Sequence, residues 1–137
     1  MKDLVKNSHY WTQAALIAAL YATLVLAFAP ISFGLVQLRV AEALCILAYF
    51  TPAAIPGLAA GCLIANGIGM AMGTTIALDM VLGTAATLLA TLLAYGLRTH
   101  KYFVPLPSVL FNALIIGCEV HPFFTPEVSL WLCMLYV

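Results

Sequence analysis

Long apolar stretches, broken only at prolines, glycines and a few polar residues, run through this chain from Trp11 onward. A helix that crosses the ~30 Å hydrocarbon core of a bilayer needs about 20 apolar residues. Only 7% of the 137 residues are charged, whereas a soluble domain carries roughly 25%. A water-soluble fold of this size cannot hide so much apolar surface. The sequence therefore predicts an all-α membrane protein in which lipid is part of the solvent.

The breaks between the stretches predict one integral membrane domain, residues 1–137, with about six transmembrane segments. Thr51-Pro52 and Thr125-Pro126 each read as an N-cap followed by a proline in the first helical turn, and Ser108 reads as a third N-cap. The sixth segment has only about ten residues, too few for a full crossing, so we expect the sixth helix to be incomplete. The predicted segments are 11–29, 36–50, 53–69, 76–97, 109–120 and a last one from 128.

Basic residues predict the orientation of these segments. Lys2 and Lys6 precede the first segment, and Arg98 and Lys101 lie between the fourth and the fifth. Connections on the cytoplasmic side carry an excess of lysine and arginine. Because an even number of crossings separates the two pairs, we expect a multi-pass protein of the cell membrane with a cytoplasmic N-terminus. The net charge of zero argues against nucleic acid as a partner.

Polar side chains within the predicted segments gather in the outer half of the bilayer. An ionisable side chain inside a membrane costs about 2.5–3.5 kcal/mol on insertion scales, so it needs a reason to be there. The asymmetry predicts an outward-facing polar pocket, and its acids suit a ligand that is cationic or rich in N–H donors. The polar residues of this half are Arg39, Glu42, Asn66, Asp79, Asn112 and Glu119.

Most of these residues also have a structural interpretation. Arg39 and Glu42 are three residues apart and can neutralise each other. Asp79 can cap the fourth helix, and Asn66 and Asn112 can hydrogen-bond between helices. Glu119 lies near a helix C-terminus, where the helix dipole disfavours an anion, so a functional role is the more natural one.

Small residues repeat at four-residue steps along the first segment. Ala14, Ala18 and Ala22 form one such stripe, and Ala15 and Ala19 form another. Stripes of this kind let a second helix approach closely. The second helix belongs either to the same bundle or to another membrane subunit.

The four cysteines, Cys45, Cys62, Cys118 and Cys133, lie in apolar runs without the short paired spacing of a metal site. We expect them to be small buried hydrophobic residues. The sequence predicts no metal and no cofactor.

Two adjoining runs, residues 29–34 (APISFG) and 36–44 (VQLRVAEAL), resemble the QueT family of queuosine-precursor transporters. These proteins are substrate-binding S components of energy-coupling factor (ECF) transporters. The resemblance extends over the chain from about Ala14. Further similar runs are 50–57 (FTPAAIPG), 61–66 (GCLIAN), 82–88 (LGTAATL) and 105–115 (PLPSVLFNALI).

The resemblance implies a six-helix S-component bundle that binds 7-aminomethyl-7-deazaguanine or queuine from outside. The connection between the first two segments would act as a lid. The stripe of Ala14, Ala18 and Ala22 would dock on the ECF transmembrane coupling subunit. ATP hydrolysis would belong to two separate ATPase subunits, since this chain has no GxxxxGK[ST] phosphate loop and is not expected to be an enzyme.

Within that hypothesis each polar residue has a role. Glu42, Asp79 and Glu119 take the base edge or the ligand amine. Gln37 and Arg39 organise the lid end of the second segment, and Asn66 and Asn112 supply directional hydrogen bonds. Three alternatives stay open: an S component for another vitamin-like molecule, a structural membrane subunit, and a small membrane enzyme. The last is disfavoured because two of the three histidines lie on the cytoplasmic side, away from the acids.

Overall fold

The computed structural model describes residues 7–29, 40–118 and 129–136. Gln37, Arg39 and Glu119 lie outside the described residues, as do Lys2, Lys6 and the expected lid. Every regular element within the described part is helical, which confirms the prediction of an all-α membrane protein. The helices are α1 Ser8–Ala27, α2 Val40–Phe50, α3 Ala54–Ala71, α4 Ala77–Gly96, α5 Leu106–Ile116 and α6 Leu130–Tyr136.

Three of the described helices are long and apolar enough to cross a membrane: Ser8–Ala27, Ala54–Ala71 and Ala77–Thr99. Helices α2 and α5 are apolar but shorter, and α6 is the shortest of the described helices. α2 begins as a 3-10 helix over Val40–Ile46 and continues as an α-helix over Leu47–Phe50. The helices follow the predicted segments because proline, glycine and capping residues set their ends locally.

The packing of the bundle is that of a protein solvated by lipid. Its interior is built from small residues such as Ala48, Ala86 and Ala90, which are fully buried. Large apolar side chains such as Leu16 and Val81 face outward, at 66% and 62% exposed. Lipid tails are as apolar as leucine, so helices associate through close contact of small residues rather than through burial of large ones.

A very close contact joins α1 to α3. A Cβ added to Gly57 would lie 2.8 Å from the carbonyl oxygen of Ala14, and one added to Gly61 would lie 2.8 Å from that of Ala18. The matched steps show that α1 and α3 run parallel in register. Only glycine lets the two backbones come this near.

This contact corrects the expectation that Ala14, Ala18 and Ala22 dock on another subunit. All three are buried, and the first two meet α3. A stripe that packs inside its own bundle has no free face for a partner helix. The second stripe, Ala15 and Ala19, is exposed on α1.

Helix α2 runs antiparallel to α1. At one end the Tyr10 hydroxyl donates to the Pro52 carbonyl oxygen at 3.5 Å, and the Thr51 hydroxyl donates to Gln13 Oε1 at 3.2 Å. Toward the other end Tyr21 meets Glu42. The pairing therefore places Glu42 inside the bundle, beside the C-terminal half of α1.

Candidate functional site

The buried carboxylate of Glu42 receives hydrogen bonds from four helices. Glu42 is 7% exposed. Its Oε1 accepts from the Tyr21 hydroxyl of α1 at 2.7 Å and from the Thr87 hydroxyl of α4 at 3.1 Å. Its Oε2 accepts from the Ser108 hydroxyl of α5 at 3.2 Å and from the Cys45 thiol of α2 at 3.4 Å. We call Glu42 and these four donors the Glu42 cluster.

The number of donors matters because a carboxylate offers about four acceptor sites. An ionised carboxylate buried without partners is very costly, and its hydrogen bonds are roughly twice as strong as neutral ones. The four donors therefore make burial of Glu42 tolerable and at the same time tie α1, α2, α4 and α5 together. A ligand that approaches this carboxylate must replace one of the donors.

Thr87 is the donor that can most easily release its hydrogen bond to Glu42, because a second acceptor lies within reach. Its hydroxyl lies 3.1 Å from Glu42 Oε1 and 2.9 Å from the carbonyl oxygen of Gly83, one turn earlier in α4. A hydroxyl has one hydrogen, so it serves one of these acceptors fully at a time. When the hydroxyl donates to Gly83, Glu42 Oε1 loses this hydrogen bond without any backbone movement.

A second polar group joins α3 to α4. The Asn66 amide nitrogen donates to the Asp79 carbonyl oxygen at 3.3 Å and to the Cys62 sulfur at 3.4 Å. The Thr75 hydroxyl donates to the Asn66 carbonyl oxygen at 3.0 Å, and the Asp79 carboxylate accepts from the Ile76 backbone N–H at 3.4 Å. These contacts fit the structural interpretation of the two residues: Asn66 forms a hydrogen bond between helices, and Asp79 caps α4.

Asn112 differs from these residues. It is 5% exposed, and within the described part of the chain its Oδ1 has no hydrogen-bond partner. It opens a π-helical turn, Asn112–Ile116, near the end of α5. This turn packs against α4 and α6.

The structure places the four described candidates, Glu42, Asn66, Asp79 and Asn112, on four different helices. It joins Asn66 directly to Asp79 and gives Glu42 its own set of donors.

The donors of the Glu42 cluster were not predicted from the sequence. Ser108 was expected to cap the fifth segment, but α5 already begins at Leu106, so Ser108 lies within the helix and its hydroxyl is free to reach Glu42. Thr87 and Thr91 lie four residues apart in α4, a spacing that puts two hydroxyls on one helix face. This four-residue spacing was the one sequence pattern that pointed to a polar face on α4.

The cysteines divide into two kinds. Cys45 and Cys62 are buried as expected, but both contact polar atoms. The expectation was wrong for Cys118, which is exposed near the end of α5. The side chain of Cys133 lies outside the described residues. In the described ranges no three His, Cys, Asp or Glu side chains are grouped to hold a metal ion.

Comparison with protein families gives a match that covers nearly the whole chain. A family model described as QueT transporter matches residues 11–137. Searches among curated proteins and among solved structures found no match.

Proposed function

We propose a function from the premise that this chain belongs to the QueT transporter family and is a membrane transport protein. In our proposal it is the substrate-binding S component of an ECF importer. It captures a queuosine precursor, 7-aminomethyl-7-deazaguanine or queuine, from outside the cell. The chain performs no covalent chemistry, and ATP hydrolysis belongs to two ATPase subunits in other chains.

The observation that carries this proposal is the buried carboxylate of Glu42 with its exchangeable donor. A guanine-like edge presents neighbouring N–H groups, which pair well with carboxylate oxygens. When such an edge arrives, the Thr87 hydroxyl turns to the Gly83 carbonyl oxygen, 2.9 Å away, and a ligand N–H takes its place on Oε1. Tyr21, the nearest donor at 2.7 Å, stays in place and holds the carboxylate.

The other candidate residues surround this point in our proposal. Asn112 supplies a directional hydrogen bond, and Asp79 and Asn66 fix the neighbouring wall between α3 and α4 through their own contacts. In our proposal Glu119, Gln37 and Arg39 complete the set of ligand-binding residues.

For transport, the loaded subunit must meet an ECF transmembrane coupling subunit. We assign this contact to the exposed stripe of Ala15 and Ala19, since the stripe of Ala14, Ala18 and Ala22 is occupied by α3. Small exposed residues allow close approach of a helix within lipid. In this proposal the N-terminus is cytoplasmic, as the basic residues predict. Reorientation of the loaded subunit then exposes the ligand to the cytoplasm.

A binding titration on the purified protein tests the proposal. We expect saturable binding of 7-aminomethyl-7-deazaguanine at micromolar concentration, with competition by guanine analogues. Glu42→Gln keeps the side-chain shape but turns one acceptor oxygen into a donor, so it should weaken binding about tenfold or more. Saturable binding of an unrelated vitamin-like molecule would instead identify an S component of different specificity. Absence of any deazaguanine binding would contradict the proposal.

A further inference from the structure

We propose that Asn112 reads the hydrogen-bond pattern of the ligand, its Oδ1 accepting one specific ligand N–H. This inference rests on the proposed function and names the residue that sets its specificity. Among the described candidates, Glu42, Asn66 and Asp79 all have partners for their side chains within the protein. Asn112 Oδ1 is buried and, in the described ranges, has none.

An unpaired buried amide oxygen is unfavourable, and few such atoms persist in folded proteins. Replacing the amide by an apolar side chain of similar size would remove that penalty. The acceptor therefore disfavours the ligand-free protein and becomes favourable only when a donor arrives. That is the energetic pattern of a recognition group, whereas a structural amide is already bonded before any ligand binds.

The position of Asn112 supports the same role. It lies four residues after Ser108 on α5, so the two side chains share a helix face with Cβ atoms about 5–6 Å apart. Ser108 donates to Glu42, so the unpaired acceptor lies one turn along α5 from the Glu42 cluster. The π-helical turn that starts at Asn112 is a local irregularity of a kind that occurs frequently at functional sites.

One acceptor that contacts Ser108 and a second acceptor one turn further along α5 select a ligand of particular chemistry. A flat heterocycle with N–H donors along its polar edge satisfies both the freed site on Glu42 and Asn112 Oδ1. An analogue with a methyl group or a bare ring nitrogen at the second point leaves the amide oxygen unpaired or repels it. Sites built to hydrogen-bond a substrate N–H reject such analogues strongly.

Substitution by leucine at two asparagines separates recognition from structure. Asn112→Leu should raise the Tm of the ligand-free protein and weaken deazaguanine binding by about 10- to 100-fold. Asn66→Leu is the matched control, since it removes bonds to Asp79 and Cys62 and should lower the Tm. A lower Tm for Asn112→Leu would overturn the inference by showing that its amide is already bonded.

Methylated ligands test the atomic contact and do not depend on the stability result. The probes are 7-deazaguanine bases methylated singly at N1, at the exocyclic N2 or at N9. The wild-type protein should reject one of them by about 100-fold, and in Asn112→Leu that specific penalty should disappear. Identical penalties in both proteins would overturn the role of Asn112 and leave the proposed function standing. No deazaguanine binding by the wild type would overturn both.

Discussion

The Tyr21 hydroxyl lies 2.7 Å from Glu42 Oε1 and joins the middle of the bundle's first helix to the start of its second. Tyr21 is 1% exposed, so water does not compete for this bond. The same helix α1 presents Ala15 and Ala19 on its outer surface. A single contact therefore connects the proposed ligand carboxylate to the helix on which we place the partner contact.

Removal of this hydroxyl should destabilise the bundle. Hydrogen bonds to charged groups contribute about 1.5–3 kcal/mol, so we expect Tyr21→Phe to lower the free energy of unfolding by about that amount. Tyr95→Phe is the control, because the Tyr95 hydroxyl pairs with the exposed Arg98 and exposed contacts contribute about 0–1 kcal/mol. Thermal and denaturant unfolding in detergent measure both. Equal losses in the two variants would contradict the central role of the Tyr21–Glu42 bond.

Two glycines of α3 should respond in opposite directions to alanine. At Gly61 the added Cβ would lie 2.8 Å from the Ala18 carbonyl oxygen and 2.8 Å from Tyr21 Cβ, so Gly61→Ala should cost about 1–3 kcal/mol. At Gly67 the nearest atom is Met80 Sδ at 4.0 Å, so Gly67→Ala should be neutral or stabilising by up to about 1 kcal/mol. Thermal and denaturant unfolding in detergent measure the free energy of unfolding of both variants. A stable Gly61→Ala protein would mean that α1 and α3 do not approach this closely.

The helices could be predicted from sequence because their signals are local. Hydropathy, proline and capping residues set the segment ends, and α3 and α4 begin within two residues of the predicted positions. Glu42 could also be identified as a candidate from sequence, since the free-energy cost of placing its carboxylate in lipid depends on that residue alone.

The partners of Glu42 could not be predicted in the same way. Tyr21, Thr87 and Ser108 lie 21, 45 and 66 positions away in the chain, and only helix packing brings them together. For the same reason, the sequence could not decide which of the two alanine stripes packs inside the bundle. Both have four-residue spacing, and the face that meets α3 depends on where Gly57 and Gly61 lie in space.

The two buried threonines of α4 should separate the exchangeable donor from its neighbour. Thr87→Val removes a donor from Glu42 Oε1, so it should destabilise the ligand-free protein by about 1–3 kcal/mol. It should also tighten deazaguanine binding severalfold, because no donor has to leave. Thr91→Val is the control, since the Thr91 hydroxyl donates to the Thr87 carbonyl oxygen and reaches the Glu42 cluster only through a 3.9 Å contact with Cys45 Sγ; its affinity should change much less than that of Thr87→Val. Weaker binding by Thr87→Val would exclude the proposed exchange.

Leucine substitutions on α1 should distinguish the outer face from the inner one. Ala15 and Ala19 are exposed, so Ala15→Leu and Ala19→Leu should fold and bind ligand like the wild type while blocking close approach of a partner helix. Ala18 is 7% exposed and its carbonyl lies against Gly61, so Ala18→Leu should destabilise the bundle by about 1–3 kcal/mol through overpacking. Copurification with the coupling subunit and ligand uptake in cells, measured beside binding to the isolated protein, separate the two effects. If Ala15→Leu and Ala19→Leu copurify and transport normally, the partner contact lies on another surface.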